Sequence, residues 1–423
     1  MNIVQLTPGA GGMYCGGCFR DNALVKGLRS QGHDVLMVPL YLPLTLEDDD
    51  QSKETPIFYG GIGVFLRQYA QWLPSSWTRW LSHRSLLGKV AGKAARTRPE
   101  DTGALTVSML RGLDGRQAGE LNALVDWLKE HGQPDVVCLS NALLLGMCPA
   151  IKRGLGVKVV CTLQGEDTFL DALREPYRTE AWDELSRLAA EVDAWIAPSQ
   201  YYGRTMQNRL KVVENRIHVV PNGIPLEGYQ MSSLPAHPPV LGYFARMCPQ
   251  KGLATLVDAF CDLKKQDSTK HLKLMIGGGC GPGDVAFVES LKVTLKHAGL
   301  SDDVTWHPNL SREEKLDFFS RLTLFSVPAL YGESFGLYVL ESLASGVPVV
   351  QPPHAAFPEI IAQTGGGILS EGLSAQDLSA SIRCLLMDRP RLLAKAKEGR
   401  ESVIRTGSVQ SMCDGVLNVF EHL

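Results

Sequence analysis

Two glutamates at the end of one apolar strand carry the most chemistry in this chain. In "PALYGESFGLYVLESLASGVP", residues 328–348, the strand "LTLFSVP" ends, a glycine-containing loop follows, and a helix is expected to begin near Phe335. The first N–H groups of that helix, around Phe335, Gly336 and Leu337, have no helical partner and make an anion site. Glu333 stands at the helix mouth and Glu341 eight residues further on, roughly 12 Å at helical rise. A carboxylate beside an anion site is out of place unless it reads hydroxyls, for which it is a good acceptor. A nucleotide sugar, with one diol on each side of its diphosphate, meets that pattern. Taken singly, Glu341 reads as a solvated helix residue and Glu333 as a dipole partner. The spacing, the small residues and the loop together favour a ligand.

A second constellation lies in "GYFARMCPQKGLATLVDAF". Arg246 ends a strand and Lys251 precedes the next helix, so two cations and a helix N-terminus converge where a diphosphate would lie. Such a pair stabilises a leaving group that gains negative charge. An exposed Arg or Lys is ordinarily a solvated charge. Here the strand-end position, and the lack of an acidic partner in the local sequence, leave both for a ligand.

The elements that must position these residues follow an alternating pattern. "NIVQLTP", "VLMVPLY", "PDVVCLS", "VKVVCTL", "DAWIAPS" and "IHVVPNGI" read as strands, with "RDNALVKGLRSQGHD" and "AGELNALVDWLKEHG" among the helices between them. Residues 226–238, "LEGYQMSSLPAHP", read as a polar, proline-rich linker. The pattern then restarts from "PVLGYFA". Short apolar strands separated by amphipathic helices make parallel sheets covered on both faces. The fold class is therefore α/β, with two Rossmann-like, doubly wound domains facing across a cleft, over residues 1–225 and 226–400. A C-terminal helix over 401–423 would pack back on the first domain. A chain of 423 residues is too long for one ordinary core.

Composition excludes several classes. A net charge of −3 offers no basic surplus for nucleic acid. No apolar run is long enough to span a bilayer, and residues 2–6, "NIVQL", read directly as a strand, with no signal-peptide pattern visible in them. Ten scattered cysteines, mostly inside apolar runs, fit a reduced, cytoplasmic protein.

At this point the resemblance is clear: the chain resembles the family 4 retaining glycosyltransferases, which have the GT-B fold. "ESFGLYVLE" is similar to that family's E-x7-E motif, "RMCPQKG" to its Arg and Lys-Gly pair, "VVPNGI" to its Asn-Gly-Ile turn, and "IAPSQY" to its strand end. The resemblance covers nearly the whole chain and is weakest over residues 43–103. It implies that Glu341 holds the nucleotide ribose and Glu333 the transferred sugar. It implies that Arg246 and Lys251 bind the diphosphate, helped by the amides of Phe335, Gly336 and Leu337. "IGGGCGPGD" is similar to the family's glycine-rich strand end, which puts the backbone of Gly277, Gly278 and Gly279 close to the donor. His307 and Asn309 begin the loop that the family sets near the base. No resident cofactor and no metal are implied; a nucleoside diphosphate sugar is the donor substrate, and a sugar, lipid or small molecule the acceptor. A hinge at residues 222–238 would close the domains over the donor.

The chain departs from the family at "CTLQGEDTF", where Gln164 stands in place of a His. A glutamine cannot shuttle protons but can orient the donor sugar by donating a hydrogen bond from its amide. Glu166 and Asp167 beside it are either acceptor ligands or caps of a helix starting near Phe169. "GGMYCGGCFRDN", residues 11–22, frames a glycine pair between Cys15 and Cys18. The family's spacing places its glycine-rich loop at Gly16 and Gly17 and an arginine at Arg20. A redox or metal role for the cysteines is the alternative. "LEDDDQ", residues 46–51, looks like a metal-binding Asp-x-Asp but reads as a solvated acidic loop. The tryptophan-rich "FLRQYAQWLPSSWTRWL" has three readings: packing, an acceptor platform, or peripheral membrane contact. A phosphorylase or epimerase on the same fold, and a non-catalytic nucleotide-sugar-binding protein, are the competing functions.

Overall fold

The computed structural model describes residues 1–9, 16–42, 49–53, 55–59, 102–235 and 237–423. Among these residues twelve strands form two six-stranded, wholly parallel sheets. The chain divides into two compact units, Met1–Pro221 with Met412–Leu423, and Asn222–Ser411.

In unit 1 the strands are β1 (Asn2–Thr7), β2 (Asp34–Pro39), β3 (Val136–Leu139), β4 (Lys158–Thr162), β5 (Ala194–Ala197) and β6 (Ile217–Val219), in the order β2-β1-β3-β4-β5-β6. β3 and β5 are buried at every position, and only the edge strand β6 is open. That is why their sequences are continuous apolar runs rather than alternating ones. The chain leaves β1 for β2 on one side and returns to β3 on the other, so its direction reverses between β1 and β3. In open parallel sheets, ligands sit beyond the carboxyl ends of the strands at that reversal.

Unit 2 repeats the plan with β7 (Val240–Phe244), β8 (Lys273–Gly278), β9 (Val304–Pro308), β10 (Leu324–Phe325), β11 (Val349–Gln351) and β12 (Gly367–Leu369). Its order, β12-β11-β10-β7-β8-β9, puts the reversal between β7 and β10. The helix Arg312–Ser320 opens with a capping box in which Ser311 and Glu314 satisfy each other's backbone N–H groups.

Two expectations from the sequence change here. Residues 229–235 do not behave as a loose linker. Ser232 donates its hydroxyl to the carbonyls of Ser320 and Leu322, its N–H binds the Ser345 carbonyl, and Arg389 binds the Leu234 carbonyl, all within unit 2. Residues 401–423 are not one helix. Helix Arg389–Thr406 ends at Gly407, and a second helix, Val409–Glu421, follows. This last helix buries Met412, Cys413, Val416, Val419 and Phe420, and Asp414 accepts a hydrogen bond from Gln31 of unit 1 at 2.8 Å.

The turn that carries Lys251 depends on one glycine. Gly252 has φ +71°, and a Cβ there would lie 1.7 Å from the Pro328 carbonyl oxygen. Gly252→Ala is expected to cost about 2 kcal/mol or more through left-handed strain and this collision. Urea unfolding checks it; unchanged stability would show that the turn relaxes freely.

Candidate active site

Of the unit 2 residues singled out by the sequence, Lys251 and Glu333 meet at the reversal between β7 and β10, while Arg246 and Glu341 pair with other residues. Lys251, in the short turn Pro249–Lys251 after β7, places Nζ 2.5 Å from Oε2 of Glu333, which follows β10. Backbone bonding joins the two loops, since the Leu330 N–H binds the Gln250 carbonyl at 2.9 Å. Tyr338 and Tyr331 also donate to Glu333 Oε2, at 2.8 and 3.2 Å. The same rings hold the ammonium near their faces, at 4.9 Å for Tyr331 and 5.4 Å for Tyr338. Burial alone would lower the Lys251 pKa and raise that of Glu333. Their mutual attraction and the hydrogen bonds outweigh it, so Lys251 is raised above 10.5 and Glu333 lowered below 4.5. Both groups are charged across the neutral range.

The absence of an acidic partner in the local sequence of Lys251 and Arg246 is corrected by the tertiary structure. Lys251 has Glu333, and Arg246 donates to both carboxylate oxygens of Asp284, at 3.2 and 3.1 Å. Asp284 lies 38 residues away, just past β8, so no local pattern reveals the pair. The Arg246 side chain nonetheless stays 60% exposed, which leaves room for a ligand anion.

The helix carrying the second glutamate is Leu337–Ala344, two residues later than expected, because Gly336 takes the left-handed conformation, φ +89°, as its N-cap. The amides of Phe335, Gly336 and Leu337 donate to no protein acceptor among the described residues. They are unpaired donors at the start of the helix, whose Tyr338 reaches Glu333. Glu341 is not a solvated helix residue. It is buried, and its Oε1 accepts from Lys315 Nζ at 2.8 Å and from the Tyr229 hydroxyl at 3.1 Å.

The glycine-rich strand end is also assembled here. Gly277 lies opposite His307 in the pairing of β8 with β9, and Gly278 has φ +120°. Asn309 clamps the following turn: its side chain accepts from the Cys280 N–H at 2.9 Å and donates to the Cys280 carbonyl at 3.0 Å. His307 bonds Thr305 at 3.0 Å and stands edge-on to Phe318. Burial and Arg321 lower its pKa.

In unit 1 the corresponding reversal, between β1 and β3, holds a buried carboxylate that sequence reading passed over. Asp21 accepts from Thr7 at the end of β1, from Ser140 just past β3, from Arg20 at 3.0 Å and from Gln164 Nε2 at 3.4 Å. Burial pushes its pKa up, while Arg20 and the hydroxyls pull it down, with burial the larger effect. Arg20 is buried against Asp21. Gly16 and Gly17 are the first residues of the helix Gly16–Ser30 rather than a loop before it, and a Cβ at Gly16 would touch nothing. Cys15, Gly11 and Gly12 lie outside the described residues, as does the tryptophan-rich stretch; Cys18 is buried. Of the acidic run, residues 46–48 lie outside too, and Asp50 turns its carboxylate back on Ser52. Glu166 opens a helix, Glu166–Asp171, three residues earlier than expected, and accepts from the N–H groups of Ala142, Gln164 and Gly165. Tyr202 bonds both Glu166 and Asp167 at 2.9 Å. These acids brace the loop that carries Gln164.

Two adjacent family models take in most of the chain: residues 230–402 match Glycosyl transferases group 1, and residues 90–227 match Glycosyltransferase Family 4. The chain belongs to the family 4 glycosyltransferases. The chain is 27% identical over 227 residues to a D-inositol 3-phosphate glycosyltransferase of Nocardia farcinica, covering 52% of this chain and 50% of that protein. It is also 27% identical over 171 residues to a GDP-mannose-dependent alpha-(1-6)-phosphatidylinositol monomannoside mannosyltransferase of Mycobacterium tuberculosis, covering 39% and 43%. The chain spans about half the length of the curated relatives it matches. Among solved structures, sucrose-phosphate synthase from Thermosynechococcus elongatus is similar with a TM-score of 0.72 at 16% identity, covering 100% of this chain and 99% of the other. Anabaena HepE in complex with UDP and glucose gives 0.68 at 16%, covering 100% of both. These likenesses show the fold, GT-B. No helix among the described residues is long and apolar enough to cross a membrane.

The buried Lys251–Glu333 pair yields a measurable pH dependence. Its stabilisation is complete above pH 4.5 and is lost as the pH falls through the lowered Glu333 pKa. Breaking one side costs about 3–5 kcal/mol at neutral pH. Urea unfolding of wild type and Glu333→Gln from about pH 3 to 8 should show a gap that is constant near neutrality and shrinks in acid. A gap that grows in acid would refute the pairing.

Proposed function

We propose that this chain moves a hexose from a nucleoside diphosphate sugar to an acceptor hydroxyl, with retention of anomeric configuration and without a metal ion. The observation that carries the reading is the assembly at the unit 2 reversal. A charged lysine, a carboxylate with three donors on one oxygen, and three unpaired backbone amides follow β7 and β10 at the carboxyl end of a parallel sheet. The amides and Lys251, with Arg246 just past the end of the same strand β7, suit a diphosphate, and Glu333 suits the hydroxyls of the transferred sugar. The names of the curated relatives support a sugar donor carried on a nucleotide and an acceptor of the polyol or glycolipid kind.

In this reading the acceptor hydroxyl attacks the face from which the diphosphate departs, and a phosphate oxygen receives its proton. No protein nucleophile is required. Lys251 and the amides stabilise the charge that grows on the leaving diphosphate, and the carboxylates fix the sugar. Gln164 serves as a hydrogen-bonding contact for a sugar hydroxyl. Its Nε2 donates to Asp21 at 3.4 Å, which leaves a second N–H and the carbonyl oxygen for a sugar hydroxyl. A non-catalytic nucleotide-sugar-binding protein is the second reading, favoured by Gln164 at the position where the family carries a histidine.

A thermal-shift screen against UDP-, GDP- and ADP-sugars should raise the unfolding temperature with one donor class, because a ligand that binds only the folded state adds stability. With that donor, Lys251→Ala should lower kcat by on the order of 10²-fold, turnover should survive chelators, and NMR of the product should show the donor's anomeric configuration. Binding without transfer or slow donor hydrolysis would establish the second reading. An inverted product or an essential metal would overturn the mechanism.

A further inference from the structure

The two glutamates share a bonding pattern that their sequence spacing does not convey. Every protein donor that reaches Glu333 falls on Oε2: Lys251, Tyr331 and Tyr338. Every protein donor that reaches Glu341 falls on Oε1: Lys315 at 2.8 Å and Tyr229 at 3.1 Å. Among the described residues no donor reaches the other oxygen of either carboxylate. Neither open oxygen is among the sealed, unpartnered side-chain atoms, which include Gln351 Nε2 and Ser326 Oγ. Each glutamate is thus held on one side by a lysine and tyrosine, with its second oxygen left to accept.

We infer that Lys315 and Tyr229 are positioning residues for ribose recognition: they lock Glu341 so that Oε2 accepts the diol of a nucleotide ribose. This rests on the donor reading of the site given above.

Three features separate this from a plain structural brace. Lys315 sits on the apolar face of its helix, one turn before Phe318 and Phe319, with a side chain only 4% exposed. Packing alone would be served as well by an apolar residue, without the desolvation of two charges. Tyr229 is itself fixed, since Arg400 binds its carbonyl at 3.2 Å and its ring packs on Phe319, so its hydroxyl reaches Glu341 from a rigid base. Charge also matters. A bare carboxylate would repel a diphosphate, and a matched lysine cancels that charge while keeping the lone pairs of the open oxygen.

The experiment is titration calorimetry with UDP, GDP and ADP and their 2′-deoxyribose counterparts, on wild type, Lys315→Met and Tyr229→Phe. Wild type should bind its preferred ribonucleotide about 10-fold or more tightly than the deoxy form, as expected for a hydrogen bond to a charged acceptor. In Lys315→Met that ratio should fall toward one. In Tyr229→Phe, which removes one hydroxyl and keeps the ring, it should fall by about 3-fold. If Lys315→Met does not fold, Tyr229→Phe decides. Folded variants with the wild-type ratio overturn the positioning role. A wild type that binds ribose and deoxyribose forms equally, or binds no nucleotide, overturns the donor reading instead. The first failure is seen in the variants and the second in the parent protein.

Discussion

A lysine and a glutamate with little exposed surface cannot exist in this fold apart from each other. Burying either charge alone costs several kcal/mol, so the site of unit 2 is organised around bringing Lys251 and Glu333 within hydrogen-bond reach. Gly252 lets the chain turn under the Pro328 carbonyl, and the Leu330–Gln250 bond ties the loop after β10 to the turn after β7. Tyr331 and Tyr338 then close over the pair, supplying hydroxyls to the carboxylate and ring faces to the ammonium. What emerges is a fixed charge arrangement at the start of the helix Leu337–Ala344.

The same logic places polar groups in both units. A parallel sheet buried on both faces leaves its interior no room for charge, so chemistry gathers beyond the carboxyl ends of the strands. Unit 1 gathers Thr7, Asp21 and Ser140 at the reversal between β1 and β3. Unit 2 gathers Lys251 and Glu333 at the reversal between β7 and β10. The topology selects these points, and the local sequence then decides whether hydroxyls, a carboxylate or a cation occupies them.

Much of the fold was legible because its signals are local. Runs such as "VVCL" and "AWIA" announce strands buried on both faces, and "SREE" announces a capped helix start. The glycine-rich strand end and the pair Glu333 and Glu341 were legible for the same reason. Boundaries set by a single backbone torsion were not: Gly336 moves the start of one helix by two residues, and Gly165 lets another begin at Glu166. Asp21 was hidden because a carboxylate in a helix reads as solvated unless its distant hydroxyl partners are known. Lys315 did leave a trace, as a lone charge one turn before two phenylalanines on an apolar face.

By itself, then, the sequence determined two parallel α/β sheets, the loop and helix start after β10 and the identities of the charged residues, since each follows from periodicity, turn chemistry or spacing within a few residues. Only the tertiary structure decided which charge meets which. Arg246 finds Asp284 across 38 residues, Lys251 finds Glu333 across 82, and Lys315 finds Glu341 across 26. These pairings are set by strand order, and strand order is a property of the whole sheet rather than of any segment in it.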